Sequence, residues 1–327
     1  MSPPGRAKGE YRSAPGFALA RLSVAGCPPF AAVVSGDRAL PISALRGVHR
    51  LRGGASIHAL LAHWSHDEPV LADADLNTEA GAPLSNFTVV APLTPTTVYC
   101  TIGNYRSQVL EAARDADPAT DAEAFRQALE RRRRDGDPYI ALKPACAVAG
   151  PFTPLAIDPS LKTLDWEVEI GAVIGKPARN VSVDAALQHV AGYCTVNDIT
   201  LRERLFRTEP KAMGTDFLQA KGGPGWLPLG PWLVPARHVP DVSVLRLTLK
   251  LNGRAMQEGV ASDMLFGIAE QIAYLSRHVQ LQPGDLVCTG SPAGFGIHHG
   301  RFLRPGDVVE AEVESLGVQR TLVTAEP

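Results

Sequence analysis

The sequence predicts an α+β fold rich in β-strands. Short apolar runs that end at Pro or Gly turns outnumber the segments with helical spacing. The 327 residues are 45% hydrophobic and 20% charged, a globular balance that supplies a full core. Internal repeats, low-complexity tracts and heptads are missing from the sequence, which excludes solenoids and coiled coils.

Composition and charge favour a small-molecule ligand. The formal charge of -2 gives no basic field, and no stacking-aromatic motif occurs, so we predict no nucleic-acid partner. No apolar stretch reaches transmembrane length, so we predict no membrane partner. The five cysteines are widely spaced and never form a CxxC, which is typical of a reducing compartment. The prediction is a cytoplasmic protein.

The chain divides into three predicted parts. Residues 1–16 are rich in Pro, Gly and charge and lack an apolar core, which predicts a disordered lead-in. Apolar runs at 17–24 and 30–34 flank a turn, which predicts a hairpin in a small N-terminal domain over residues 17–95. Prolines and a threonine cluster follow, and the catalytic domain is predicted over residues 96–327.

The larger part reads as strands separated by a few helices. Ser182 and the Ser262-Asp263 pair are predicted helix N-caps, and Asn252-Gly253 is a predicted turn. A polar stretch at 115–137 predicts an exposed helix that ends at Gly136. Strands are predicted at 98–102, 139–143, 165–174, 192–196, 245–251, 286–289 and 308–313, and further helices at 57–64, 107–116, 183–190 and 266–279.

Three acidic residues occupy every second position of one predicted strand. Asp165, Glu167 and Glu169 therefore point to the same face, opposite the apolar residues between them. Neighbouring carboxylates raise each other's pKa unless they are solvated or share a cation. The pattern alone fits either a wet outer face or a site for a hard metal ion.

A second acidic feature, Asn197-Asp198, closes the next apolar strand. A helix between two strands brings their ends side by side, so Asp198 could reach the Glu167 and Glu169 face. Oxygen ligands with open positions suit Mg2+ or Mn2+. A turn aspartate of purely structural role fits the spacing equally well.

Other candidate motifs are weaker. Lys221 lies in a predicted glycine-rich loop at 219–226, where it either stabilises a developing oxyanion or is an ordinary solvated lysine. The glycine-rich stretch 289–296 could bind an anion, but it has neither P-loop nor dinucleotide spacing. The adjacent His298 and His299 are predicted to lie on the surface unless their loop folds over the site.

Taken together and in order, these motifs resemble the fumarylacetoacetate hydrolase family. The matching stretches cover roughly the last two-thirds of the chain and are 103–106, 142–144, 165–180, 191–193, 197–198, 221, 228–232, 252–253, 262–266 and 283–296. The resemblance implies a catalytic domain built as a mixed β-sandwich roll, a small N-terminal domain, a homodimer and a Mg2+ or Mn2+ ion.

The resemblance also implies site residues. The family's metal ligands fall on Glu167, Glu169 and Asp198, and its active-site lysine falls on Lys221. Members act on 2-oxo acids and 1,3-dicarbonyl compounds by C–C hydrolysis, decarboxylation, tautomerisation or isomerisation, through an enolate that the metal stabilises. We take the following as candidate substrate-binding residues: Tyr105, Arg106, Arg202, Thr289 and Gly290.

The chain departs from the family at the group that moves protons. Many members have His-x-x-Glu after Asn-Tyr, but here the dyad reads Gln108-x-x-Glu111, and an amide cannot act as a base near neutral pH. Glu111, Gln108 and Lys221 are the candidate catalytic residues, with Glu111, His298 or His299 as possible replacements for the base. Pro224 stands where relatives commonly carry an acid. The 115–137 insert is either a lid or pocket wall, or a surface elaboration.

Three functions are consistent with these residues. The first is a metal-dependent hydrolase that cleaves a C–C bond in an acylpyruvate-like substrate. The second is a lyase or isomerase of the same scaffold, such as a decarboxylase, a tautomerase or a biosynthetic enzyme for β-dicarbonyl compounds, which needs no activated water. The third is a catalytically silent metal-binding homologue, against which the joint presence of three acids and Lys221 argues.

Overall fold

The computed structural model describes residues 16–73, 81–207 and 214–326. The predicted lead-in lies outside these residues except for Gly16. Every helix within the described ranges is too short or too polar to span a bilayer. The helices are α1 Ile57–Ala62, α2 Trp64–Asp73, α3 Arg106–Ala116, α4 Ala122–Asp135, α5 Val183–Ala186, α6 Phe217–Lys221 and α7 Ile268–His278.

Strands dominate the described chain. They are β1 Ala18–Ser23, β2 Phe30–Ser35, β3 Arg38–Pro41, β4 Ala82–Pro83, β5 Thr88–Val90, β6 Val98–Ile102, β7 Tyr139–Lys143, β8 Val148–Ala149, β9 Leu155–Ile157, β10 Leu164–Asp165, β11 Val168–Ile174, β12 Val190–Asn197, β13 Thr200–Leu201, β14 Leu227–Pro228, β15 Val234–Pro235, β16 Arg246–Leu251, β17 Arg254–Val260, β18 Leu286–Cys288, β19 Val308–Val313 and β20 Gly317–Ala325.

Two packed sheets form the centre of the molecule. A six-stranded sheet has the order β15-β12-β11-β18-β6-β7, and a five-stranded sheet has the order β17-β16-β19-β20-β9. Strands β11 and β12 pack against β16, β19 and β20 of the second sheet. Each sheet contains a parallel pair, β6 with β18 and β9 with β20, so both sheets are mixed. The predicted strand-rich α+β class and the mixed sandwich are confirmed.

The N-terminal strands form a separate five-stranded sheet in the order β4-β3-β2-β1-β5. The predicted hairpin is β1 and β2, which pair antiparallel with Leu19 opposite Val33. Leu19 also exchanges two backbone hydrogen bonds of 2.9 Å with Leu233, next to the edge strand β15. The division of the chain at residue 95 stays a prediction.

The predicted acidic strand is interrupted. Strand β10 ends at Asp165 and β11 begins at Val168, so Trp166 and Glu167 lie between two strands rather than inside one. Every residue of β11 is buried, because one face packs on the second sheet and the other on a second apolar cluster. A wet outer face is therefore excluded, and all three carboxylates are buried.

One predicted helix cap is confirmed in position and the other is wrong. Ser182 is the N-cap residue of α5, but its side chain accepts no hydrogen bond there, and the helix is a single turn. Helix α7 begins after Gly267, whose N–H donates to Glu270 Oε2 at 2.6 Å, so Ser262-Asp263 does not cap it. Asp263 instead accepts hydrogen bonds from the Ser107 N–H and hydroxyl at the start of α3. Asp263 therefore caps α3, whose Ser107 lies 156 residues earlier in the chain.

Among the strands of five or more residues, β17 and β20 were not predicted, and their sequences explain why. The Asn252-Gly253 turn is confirmed, with φ angles of 53° and 81°, but the β17 strand that follows it shows no regular alternation of polar and apolar residues. In β20 the buried face carries Gln319 and Thr321 while Leu322 is exposed, which inverts the usual pattern. Gln319 is tolerated there because its amide donates to the carbonyls of Thr195, Pro228 and Gly230.

Asn104 joins β6 and α3 to the glycine turn beside the acidic residues. Its side chain is buried, donates to the carbonyls of Phe266 and Thr289, and accepts from the Phe266 N–H at 3.0 Å. We expect Asn104→Ala to lower the free energy of unfolding by about 3 kcal/mol, because the Phe266 N–H and the Thr289 carbonyl lose their partners and the Phe266 carbonyl keeps only Gln271. Urea unfolding followed by fluorescence measures this. The exposed Asn86→Ala is the control, and a loss below about 1 kcal/mol for Asn104→Ala would contradict the assignment.

Candidate active site

Three buried carboxylates meet where β11 and β12 end. Val168 pairs with Asn197 in the antiparallel ladder, and the Asp198 N–H donates to the Glu167 carbonyl at 2.8 Å. This register places Asp198 beside Glu167 and Glu169. Ligand oxygens of the three side chains lie within 4.8 Å of one another. The structure thus brings together the three acids that the sequence predicted as metal ligands.

Two buried lysines hold Asp198. Lys143 Nζ lies 2.6 Å from Oδ1, and Lys221 Nζ lies 2.5 Å from Oδ2. Burial alone would raise the pKa of Asp198, but attraction to the two ammonium groups lowers it to about 2. Burial would likewise lower the pKa of Lys221, yet Asp198 and Glu167 raise it above its usual value. Lys221 is therefore a fixed cation, and it ends helix α6 rather than lying in the predicted loop.

Arg202 bridges two of the acids from the segment after β13. Its Nε donates to Asp165 Oδ2 at 2.8 Å, and its Nη1 lies 2.7 Å from Glu167 Oε1. The guanidinium also stacks over the Phe295 ring, 4.6 Å from its centroid. The remaining Nη2 is buried and has no hydrogen-bond partner among the described residues. A buried donor of this kind is suited to an anionic group of a ligand.

Glu169 is the acid without a paired cation. Its Oε2 accepts from the Gly290 N–H at 2.8 Å, and no side-chain cation in the described part of the chain forms an ion pair with it. Burial, then repulsion from Asp198 and Glu167, raises the pKa of Glu169 well above its usual value. Gly290 has a φ of 90°, and a Cβ there would lie 2.8 Å from Asn104 Cβ, so glycine is required to aim this N–H.

The cluster carries a surplus of negative charge. Four carboxylates, including Asp165, face the three cations Lys143, Lys221 and Arg202, which leaves a formal charge of -1 when every group is ionised. The surplus is localised at Glu169. Three convergent oxygen ligands and unbalanced negative charge suit a divalent cation such as Mg2+ or Mn2+.

A cavity of about 270 Å3 opens over these groups. Glu167, Arg202 and Lys221 line its floor, and Gln108 lines its wall. The apolar lining includes Phe295, and the mouth carries Phe206, which is 68% exposed. The volume fits a small organic acid, and the cationic floor favours one with a carboxylate.

Several predicted site residues do not line this cavity. Tyr105 is fully buried in the core, and Thr289 is buried behind the Gly290 turn. Arg106 pairs with Glu130 at 2.7 Å and donates to backbone carbonyls of the 263–264 segment. Glu111 accepts from the Gly294 N–H at 2.8 Å. These side chains support the walls of the site.

The polar insert at 115–137 supports helix α3 and does not line the cavity. Helix α4 is present and ends before Gly136, as predicted, and it packs on α3 through Leu129 and Phe125. None of the cavity-lining residues comes from 115–137. The lid or pocket-wall interpretation is therefore wrong for the described structure. Pro224 is exposed and does not line the cavity either.

The two adjacent histidines have different environments. His298 lines the cavity, with its side chain only 9% exposed, and its ring is stacked beside Phe295. Its Nδ1 lies 2.5 Å from Asp115 Oδ2, and its Nε2 lies 3.7 Å from Glu111 Oε2. His299 is exposed. The exception named in the prediction therefore applies to His298, because its loop does fold over the site, whereas His299 lies on the surface as predicted.

Sequence reasoning missed Lys143 and Asp115, and it placed Asp165 on the acidic face without identifying its partners. Lys143 is the last residue of an edge strand and alternates with exposed positions, so a buried lysine there had a weak sequence signal. Asp165 accepts from the N–H groups of Gly296 and Ile297 as well as from Arg202. Asp115 looked like one acid in a polar run. Only contacts distant in sequence distinguish these residues from their neighbours.

Comparison with known proteins gives consistent relatives. The chain is 39% identical over 193 residues to 2,4-didehydro-3-deoxy-L-rhamnonate hydrolase of Sphingomonas sp. (strain SKA58), which covers 58% of this chain and 65% of that protein. It is 35% identical over 184 residues to human mitochondrial oxaloacetate tautomerase FAHD2A, which covers 56% of this chain and 57% of that protein. The matches thus span less than two thirds of either relative.

The fold has a similar relative among solved structures. The crystal structure of a probable 2-hydroxyhepta-2,4-diene-1,7-dioate isomerase from Mycobacterium abscessus matches with a TM-score of 0.72 and 27% identity, over 95% of this chain and 99% of that one. The family model described as fumarylacetoacetate (FAA) hydrolase C-terminal matches residues 97–324, which is more than half of the chain. With the buried acids, the lysine and the mixed sandwich all in place, the chain belongs to the fumarylacetoacetate hydrolase family.

Proposed function

We propose that this protein is a divalent-metal-dependent hydrolase that cleaves a C–C bond in an acylpyruvate-like 2-oxo acid. The observation that carries the proposal is the surplus negative charge at Glu169, next to two further carboxylates and beneath a cavity with a cationic floor. A cation bound by Glu167, Glu169 and Asp198 would chelate two substrate oxygens and stabilise the negative charge of the enolate.

The chain's own cations bind and orient the substrate in this proposal. Arg202 Nη2 lies at the cavity floor without a hydrogen-bond partner among the described residues, and it donates a hydrogen bond to the substrate carboxylate. Lys221 stays protonated at neutral pH because its carboxylate partners raise its pKa, so it stabilises a developing oxyanion and does not act as a base. Gln108 offers only an amide to the cavity, which can orient a substrate oxygen by a hydrogen bond.

An isomerase, tautomerase or decarboxylase on the same site is the second candidate. Gln108 favours it, because the family's usual base is missing from this position and these reactions require no activated water. Similarity to a protein named oxaloacetate tautomerase agrees with it. Both candidates share the enolate and differ in whether water attacks the neighbouring carbonyl.

Product analysis separates the two candidates. The protein is stripped of metal with EDTA, supplied with Mg2+ or Mn2+, and incubated with acetylpyruvate or oxaloacetate while NMR follows the products. Formation of acetate and pyruvate supports the hydrolase. Metal-dependent keto–enol exchange or loss of CO2 from oxaloacetate without acetylpyruvate cleavage supports the second candidate. No metal-dependent turnover and no metal-dependent binding of oxalate, an enolate analogue, would refute both.

Two further predictions accompany the proposal. The homodimer implied by the family resemblance is checked by light scattering of the purified protein. The cytoplasmic location is checked by fractionation of the source cells.

Glu169→Gln should separate metal binding from folding. The raised pKa of Glu169 means that its ionisation destabilises the metal-free fold, so the variant should be the more stable protein. Its advantage should grow as the pH rises from the ordinary glutamate range through the raised pKa. The wild type should instead gain about 2.7 kcal/mol at a metal concentration of about 100 times Kd.

Thermal unfolding with and without Mn2+ measures both effects. The exposed Glu258→Gln on β17 is the control and should behave as the wild type. Metal-dependent stabilisation and turnover that persist in Glu169→Gln would contradict the metal site.

Arg202→Gln should reduce selectivity for a carboxylate. We expect kcat/KM for acetylpyruvate to fall about 10- to 100-fold, the size of a lost hydrogen bond to a charged group. Acetylacetone, a 1,3-dicarbonyl compound without a carboxylate, should be affected far less. Steady-state kinetics on both substrates checks this, with the exposed Arg204→Gln as control. Equal losses on both substrates would show that Arg202 does not bind the carboxylate.

A further inference from the structure

We propose that His298 transfers protons in this active site and that Asp115 positions it, which replaces the histidine that relatives carry where this chain has Gln108. The inference rests on the proposed function and assigns its acid–base group. It begins from a titratable cluster that the metal site does not use: His298, which lines the cavity, and its two neighbours on α3, Glu111 and Asp115.

The position of His298 is tied to the metal site. The histidine lies in the short turn Gly296–His299, and Asp165 accepts from the N–H groups of the first two residues of that turn. The same Asp165 binds Arg202, and Arg202 stacks on Phe295, whose ring lies 5.9 Å from the His298 ring. The imidazole is thus held at the cavity lining by contacts that begin at the acidic cluster.

Helix α3 supplies the carboxylates for this histidine. Glu111 and Asp115 are four residues apart and therefore lie on one face of the helix, toward the 296–299 turn. Asp115 Oδ2 lies 2.5 Å from His298 Nδ1. A proton on Nδ1 that is donated to Asp115 leaves Nε2 with its lone pair, and the carboxylate fixes this tautomer and the ring orientation.

Other candidates for the base are less well placed. Glu111 Oε2 is occupied by the Gly294 N–H at 2.8 Å, and Glu111 does not line the cavity. His299 is exposed and Gln108 is an amide. His298 is the cavity-lining residue of the described chain that combines a titratable nitrogen with an orienting carboxylate and no role in the acidic cluster.

A single histidine can carry out both proton transfers of the hydrolysis. Nε2 accepts a proton from water as the water oxygen bonds to the acyl carbonyl carbon. The C–C bond then breaks, and its electron pair becomes the enolate of pyruvate. The imidazolium returns the proton to the enolate carbon, which gives pyruvate and a carboxylic acid from acylpyruvate and water. In isomerisation the same nitrogen carries a proton between two carbons.

The first test compares adjacent histidines. His298→Gln should lower kcat for the substrate that the wild type turns over, and the rate of C3–H exchange of pyruvate in D2O, by about 100-fold or more. His299→Gln should stay within about twofold of the wild type. Affinities for Mn2+ and oxalate, measured by calorimetry, should be unchanged in both variants, because neither residue touches the acidic cluster.

The outcomes separate the inference from the proposed function. A wild type with no metal-dependent turnover and no oxalate binding refutes the proposed function. A wild type that is active, with a His298→Gln variant that keeps at least half of its kcat and exchange rate, refutes only the role of His298. A His298→Gln variant that loses oxalate affinity and activity together also refutes it, because the residue would then act through substrate binding.

The second test addresses Asp115. Asp115→Asn should lower kcat about tenfold at unchanged KM, while the exposed Asp117→Asn stays at the wild-type value. In the His298→Gln background, Asp115→Asn should cause no further loss, because a positioning residue acts only through the residue it positions. An equal loss in both backgrounds, or a change confined to KM, would overturn the assignment.

Discussion

Burial of four carboxylates at the ends of β11 and β12 is the constraint around which this structure is built. Removing so much negative charge from water costs several kcal/mol for each group unless opposite charge and hydrogen bonds offset it. The chain meets most of that cost with Lys143, Lys221 and Arg202, each brought from a different element. What it leaves uncompensated, at Glu169, is the charge that the proposed divalent cation would balance.

This constraint explains features that otherwise look unrelated. The positive φ of Gly290 aims a backbone N–H at Glu169, and Asn104 donates to the Thr289 carbonyl next to it. Asp165 extends the same network, because it accepts hydrogen bonds both from Arg202 and from the backbone of the 296–299 turn that contains His298. The acids therefore determine the conformation of two loops as well as a binding site for a cation.

The site separates two chemical tasks in space. Charge stabilisation belongs to the strand ends, where the side chains are buried and paired in a rigid sheet. Proton transfer, in our proposal, belongs to the opposite wall, where α3 faces the 296–299 turn. In that proposal, the histidine lies on the 296–299 turn, and Gln108 on α3 also lines the cavity. The chain's departure at Gln108 would then be a relocation of the proton-transfer group.

The sequence by itself determined the strand-rich α+β class, the longer strands other than β17 and β20, most helices and the Asn252-Gly253 turn. These features follow from local periodicity and turn chemistry. The spacing of the acids left a metal site and a structural turn both open, and the resemblance to the family favoured the metal site. Only the tertiary structure decided that Asp263 caps α3, that Lys143 and Asp165 belong to the charge network, and that His298 rather than His299 faces the cavity. Each of these depends on contacts between residues far apart in the chain, which residue type and spacing do not encode. The β20 strand, with Gln319 and Thr321 on its buried face, was also decided by tertiary contacts. The buried Gln319 amide donates to carbonyls of residues far away in the chain.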